Sequence, residues 1–167
     1  MANYTAADVK ALRERSGAGM MDCKKALEEA DGDLEKAMEV LRLKGLKGVT
    51  KREGRATSEG LVVSRVNGGK GLLVELACET DFVAKGEKFV SLAEKVADAI
   101  SDSGATTVED ALKAPMGGST VEEEITNEAA ILGEKVELRK VAAVEDEQID
   151  AYMHRTSKDL PPQVGVL

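Results

Sequence analysis

The sequence predicts an α+β protein: a small three-helix N-terminal domain, then an α+β core subdomain with a mainly antiparallel sheet and packed helices. Three observations predict it. Apolar residues recur at helical spacing behind capping residues over the first 45 positions. Two alternating apolar runs, Leu61–Val66 and Leu72–Leu76, flank Asn67-Gly68-Gly69, a strong hairpin signal. Helical periodicity then returns over 80–101 and gives way to a strand pattern at 136–144.

The elements follow in order. Thr5 and Asp8 resemble a capping box, with Asp in place of the usual Glu, and Val9 and Leu12 give the first helix its apolar side. Ser16-Gly17-Ala18-Gly19 breaks it. Met20 to Ala30 is a second helical run, with Met20, Cys23 or Lys24, and Leu27 in register. Asp31-Gly32-Asp33 reads as a turn with Asp33 as N-cap. Leu34, Ala37, Met38 and Leu41 carry a third helix that should end near Gly45. Residues 46–59 are polar and basic with two glycines, so the domain boundary is expected there. After the hairpin, one helix should run from Thr80 to Ser101, with Thr80 or Asp81 as N-cap. It is patterned by Val83, Phe89 or Val90, Leu92 or Ala93, Val96 and Ile100. A short helix near 108–113, a loop at Pro115–Gly118 and a helix from the Thr120/Glu123 capping box to Leu132 follow, with Gly133 as its stop. Val136–Val144 reads as a third strand and Ile149–His154 as a fourth. Residues 164–167, VGVL, look like the start of a buried strand, as if the chain stopped mid-fold. The expected domains are 1–55, 56–145, and the start of a second core subdomain at 146–167.

Composition narrows the function classes. Of 167 residues, 43% are hydrophobic and 32% charged, a globular balance, but only 2% are aromatic. The core must therefore be aliphatic, and a phenylalanine outside the core pattern is informative. The net charge of −8 is uneven: residues 1–60 carry +1 and the remainder −9. Such a chain is poorly suited to neutralising nucleic-acid phosphates, so no direct nucleic-acid partner is expected. Arg42, Lys44, Lys47, Lys51, Arg52 and Arg55 form a basic run, read as a solvated linker with partner contact as the lesser alternative. Cys23 and Cys78 lie outside any CxxC pattern and fit packed residues in a reducing cytosol, hence a cytoplasmic location. No apolar run approaches the ~20 residues that span a bilayer.

No catalytic constellation is evident. His154 is the only histidine, so a histidine-based metal site or triad is not expected, and neither metal nor cofactor is implied. An enzyme would have to be built from Asp81, Glu79 and His154, for which the sequence offers no convergent pocket. Gly68-Gly69-Lys70-Gly71 is a hairpin turn rather than a phosphate cradle, because no helix follows it. Two strings stand out instead. In LRERSGAGMMDCKKAL, 12–27, Met20 and Met21 cannot both face one small core, and an outward methionine is a soft contact surface. In CETDFVAKGEKF, 78–89, Phe82 falls outside the aliphatic stripe. It is either a staple onto the sheet or an exposed wedge on a rigid corner, the way interface anchors are built.

Together these strings resemble the elongation factor Ts family. That family carries a segment of the type LR-x-x-small-G-x-G-M-x-x-C-K-x-A-L near its N-terminus, matched here at Leu12–Leu27. It carries a second, E-hydrophobic-x-C-x-TDFVA-K, matched at Glu75–Lys85. Ala77 stands where many members have Asn. The resemblance runs along the whole chain, although the family's typical chain is longer, with a second core subdomain, a dimerisation or coiled-coil element and a C-terminal module. A homodimer would need that C-terminal part. The resemblance implies a ubiquitin-associated-like N-domain. It also implies an exchange factor, not an enzyme, that releases GDP from elongation factor Tu during translation. The TDFVA segment (Thr80, Asp81, Phe82, Val83) would insert its Asp81-Phe82 corner between two helices of the GTPase and disturb Mg²⁺ near the phosphates. Arg13, Met20, Met21 and Lys24 would grip the GTPase domain. Leu132 and Gly133 match a further contact point, and His154 a histidine that reaches a second part of the partner. The alternative is a fragment that binds elongation factor Tu without exchange activity.

Overall fold

In the computed structural model the structure describes residues 3–167, and the chain divides into two compact units. One holds the chain up to Glu53 together with Asn127–Gly133; the other holds Gly54–Thr126 and Glu134–Leu167.

The first unit is a helical bundle. Helix α1 (Ala6–Ser16) starts at the expected box: the Thr5 N–H donates to Asp8 Oδ2 at 2.7 Å and the Asp8 N–H donates to Thr5 Oγ1 at 3.3 Å. It ends at Gly17, whose φ of 70° is the left-handed cap that glycine adopts without strain. Helix α2 (Met20–Glu29) and helix α3 (Leu34–Arg52), capped by Asp33, complete the bundle. Val9, Leu12, Cys23, Ala26, Leu27, Ala30 and Ala37 form its buried core.

Helix α3 does not stop at Gly45, as the sequence suggested; it runs on to Arg52. A Cβ at Gly45 would lie 2.8 Å from Ala130 Cβ of the same unit, so this glycine marks a close approach rather than a helix end. Most of the basic run is therefore helix surface, not linker. Arg42 pairs with Glu39 at 2.7 Å and Lys44 with Glu29 at 2.8 Å.

The second unit is built on an antiparallel sheet of order β1-β2-β5. Strands β1 (Glu59–Asn67) and β2 (Lys70–Cys78) meet at Gly68-Gly69, both with positive φ (56° and 81°), as a two-residue turn of this hand requires. Helix α4 (Asp81–Ala84) and helix α5 (Glu87–Ser103) follow. The single helix expected over 80–101 is thus broken. The Gly86 N–H closes a turn onto the Val83 carbonyl at 2.9 Å, and Gly86 then serves as the extended N-cap of α5. Helix α5 buries Phe89, Leu92, Ala93, Val96, Ala97 and Ile100, and packs on β1 and β2.

Helix α6 (Val108–Leu112) leads to a small hairpin, β3 (Pro115–Met116) and β4 (Ser119–Thr120), where a plain loop was expected; Gly117 and Gly118 form its turn. Helix α7 (Val121–Leu132) has the expected box, the Thr120 N–H donating to Glu123 and the Glu123 N–H to Thr120 Oγ1. It stops at Gly133, φ 77°. Strand β5 (Val136–Glu145) then pairs with β2.

Strands β6 (Tyr152–His154) and β7 (Val164–Val166) pair with each other. The buried strand expected at 164–167 is overturned: Val164 and Val166 are 49% and 54% exposed. The inward position of this short strand is Gly165, whose Cβ would meet Leu73 and Val62, so alternation turns both valines outward.

Candidate partner-binding surface

The corner between β2 and α4 is the most distinctive surface of the second unit. Thr80, in extended conformation, caps α4, with its Oγ1 accepting the Val83 N–H at 3.4 Å. Of the two capping candidates, Thr80 fills the role, and Asp81 is the first helical residue, where its charge suits the positive end of the turn.

Phe82 is 76% exposed, among the most exposed large apolar side chains described, while Phe89 is fully buried in α5. The staple reading of Phe82 is thereby excluded. Lys85 organises the exposed ring: its Nζ lies 4.5 Å from the ring centroid and 3.1 Å from Asp81 Oδ2. Asp81, Phe82 and Lys85 thus form one cluster on a single helical turn, and Val83 is half-buried behind it.

Two carboxylates fix the corner from below. Glu134 accepts the N–H groups of Glu79 (3.1 Å) and Thr80 (3.0 Å), and also the Thr80 hydroxyl (2.5 Å). In return Glu79 accepts the Lys135 N–H at 2.6 Å and pairs with Arg55 at 3.1 Å. Nearby, Cys78 is buried, and its thiol donates to the Thr80 carbonyl at 3.3 Å. Burial, and then the negative charge of Glu134, push the Cys78 thiol up to about 12, so it stays protonated near neutrality.

The remaining sequence candidates are distributed between the two units. In the first unit Met20 and Met21, in the first turn of α2, are 49% and 62% exposed, so both face outward rather than one. Lys24 is exposed one turn further along α2, and Arg13 is exposed on α1. Leu132 is half-buried and Gly133 exposed at the end of α7. In the second unit His154 is exposed on β6, with Nδ1 3.0 Å from the Tyr152 hydroxyl.

Sequence reasoning missed Lys85, Glu79 and Glu134 as supports of the corner. Lys85 could have been found, since it stands four residues after Asp81, the spacing of a helical ion pair. The bracing by Glu134 crosses 54 residues and had no local signal.

What these elements define is a class: an α+β protein in which a small helical bundle accompanies an antiparallel sheet backed by helices. The chain belongs to the elongation factor Ts family. The family model described as elongation factor TS matches residues 79–167. The chain is similar to the elongation factor Ts of Paenarthrobacter aurescens (strain TC1), 60% identical over all of this chain and 60% of that one. It is likewise similar to that of Leifsonia xyli subsp. xyli (strain CTCB07), 64% identical over all of this chain and 61% of the relative. For the factor of Clavibacter michiganensis the identity is 62%, again over the whole of this chain and 61% of the relative. The chain thus spans about 60% of the length of the first of these relatives.

Proposed function

We propose that this chain is a guanine-nucleotide exchange factor acting on elongation factor Tu in the cytoplasm, with a protein partner rather than nucleic acid or membrane. The observation that carries the reading is Phe82: a benzyl group 76% exposed on a one-turn helix whose cap is braced by Glu134. An exposed aromatic on a rigid mount loses little conformational entropy when a partner buries it, which is how interface anchors gain their energy. Among the described residues no helix is long and apolar enough to cross a membrane.

In this reading the Asp81-Phe82 corner, with Thr80 and Val83, enters between two helices of the GTPase and displaces the groups that hold Mg²⁺ beside the nucleotide phosphates. Loss of the ion removes the main neutraliser of phosphate charge and weakens GDP binding. Arg13, Met20, Met21 and Lys24 grip the GTPase domain, Leu132 and Gly133 add a contact, and His154 reaches a second part of the partner. The factor makes and breaks no covalent bond. It binds the nucleotide-free partner better than the loaded one, and linkage makes the effect reciprocal. A ~1000-fold loss of GDP affinity needs only about 4 kcal/mol of coupling.

A second reading is favoured by one fact, that the chain spans 60% of the length of a relative such as that of Paenarthrobacter aurescens. Here the chain binds elongation factor Tu and leaves exchange to the fuller protein. Stopped-flow release of a fluorescent GDP from elongation factor Tu, beside titration calorimetry of the same pair, separates the two. Accelerated release supports the exchange factor; binding without acceleration supports the module; no binding removes both.

A further inference from the structure

We propose that Glu134 is a positioning residue that sets the orientation of the Asp81-Phe82 corner; this rests on the reading of that corner as the contact with the partner GTPase. Helix α4 is four residues long, below the length at which a helix sustains itself. Its shape therefore depends on its cap. The cap residue, Thr80, uses one hydroxyl oxygen twice: it accepts the Val83 N–H at 3.4 Å and donates to Glu134 Oε1 at 2.5 Å. The second oxygen of Glu134 takes the backbone N–H groups of Glu79 and Thr80, the two residues that carry the chain from β2 into the turn. Three donors on consecutive residues thus converge on one carboxylate, whose charge strengthens each bond.

The bracing is reciprocal. The residue after Glu134, Lys135, gives its N–H to Glu79 at 2.6 Å, so each segment supplies a carboxylate to the other's backbone. Two crossed links of this kind resist both translation and twist of the corner, which a single hydrogen bond does not. Removing the Glu134 side chain leaves the ring of Phe82 in place chemically but frees the turn that aims it.

Glutamine is the informative conservative change. Its carbonyl oxygen can take the two backbone N–H groups while its amide donates to Thr80 Oγ1, so the geometry survives without the charge. The test compares Glu134→Ala, Glu134→Gln, Phe82→Ala and the double variant Phe82→Ala/Glu134→Ala in the full chain, by two readouts. The first is the maximal rate of fluorescent-GDP release from elongation factor Tu. The second, independent of any partner, is amide hydrogen exchange of residues 79–85 in the chain alone.

Glu134→Ala is expected to slow maximal release about tenfold or more, Glu134→Gln to stay within about threefold of the parent, and the double variant to be no slower than Phe82→Ala. The Glu79 and Thr80 amides should exchange at least about tenfold faster in Glu134→Ala, with the central amides of β2 unchanged. Release by Glu134→Ala at the parent rate while Phe82→Ala is slow, or multiplicative slowing in the double variant, overturns the inference. If Phe82→Ala itself releases at the parent rate, the exchange-factor reading of the corner falls. The hydrogen-exchange result then decides the bracing alone: unchanged protection at 79–80 overturns it and faster exchange sustains it.

Discussion

Phe82→Ala removes a side chain that contributes little to the folded chain and, on the proposed reading, much to the complex. A phenylalanine buries roughly 200 Å² when fully enclosed. With 76% of the residue exposed, about 150 Å² is available to a partner. At ~25 cal/mol per Å² that area is worth ~4 kcal/mol if a pocket encloses the ring completely. Displacing the ammonium of Lys85 from its stacking position, 4.5 Å from the ring, costs about 0.5–1 kcal/mol. The net of ~3 kcal/mol corresponds to a roughly hundredfold loss in accelerated GDP release. Stability of the chain should change by no more than about 0.5 kcal/mol, because an exposed ring leaves no cavity. The assay is stopped-flow release of fluorescent GDP at fixed factor concentration, with urea denaturation of the same preparation. Release at the parent rate by a folded Phe82→Ala chain refutes the wedge. A loss of more than ~1.5 kcal/mol in the denaturation curve refutes its premise, since the ring would then be supporting the fold.

Two glycines of α3 should respond to alanine in opposite directions. Alanine is favoured over glycine in a helix by about 0.8–1 kcal/mol. At Gly48 the new Cβ would meet the guanidinium of Arg52 at 2.8 Å, the far end of a flexible side chain that can shift without moving backbone, so Gly48→Ala should raise the urea midpoint. At Gly45 it meets Ala130 Cβ at 2.8 Å, with the Ala130 carbonyl at 3.2 Å; overpacking of ~1–3 kcal/mol should outweigh propensity and lower the midpoint. A stabilising Gly45→Ala would show that the close approach is absent. For Cys78, the thiol pKa is raised from its ordinary value to about 12, so the folded chain holds that proton more tightly than the unfolded chain. Its contribution to stability is full below about pH 8.5 and declines as pH rises toward about 12. Iodoacetamide at pH 8, read by peptide mass spectrometry, should label Cys78 far more slowly in the native chain than in urea; equal rates would contradict the burial.

How much of this was legible in the sequence depended on the range of the interaction involved. The capping boxes at Thr5/Asp8 and Thr120/Glu123 and the Gly68-Gly69 hairpin turn are set by residues within three positions of one another, and the structure has all of them. The stripe of α5 was legible because one face of a long helix must be apolar throughout. Glycine was the ambiguous letter. Gly45 and Gly86 look alike in sequence, one inside a helical pattern that was expected to end and one inside a pattern expected to continue. In the fold Gly45 is mid-helix, admitting the neighbouring Ala130, whereas Gly86 breaks the helix and frees α4 as a separate turn. The atoms near Gly86 are the Val83 and Phe82 carbonyls of its own turn, but at Gly45 the deciding neighbour is Ala130, eighty-five residues away in sequence, and no local propensity carries that information. The same holds for the corner. That Phe82 stood outside the stripe was readable from period alone; that its mount is braced was not, because the bracing hydrogen bonds join Glu134 and Lys135 to Glu79 and Thr80 across more than fifty residues. An exposed aromatic is common and weakly informative by itself. An exposed aromatic on a short turn held by crossed carboxylate links is a different physical object, since on the proposed reading the turn that carries it is already held in place when a partner arrives.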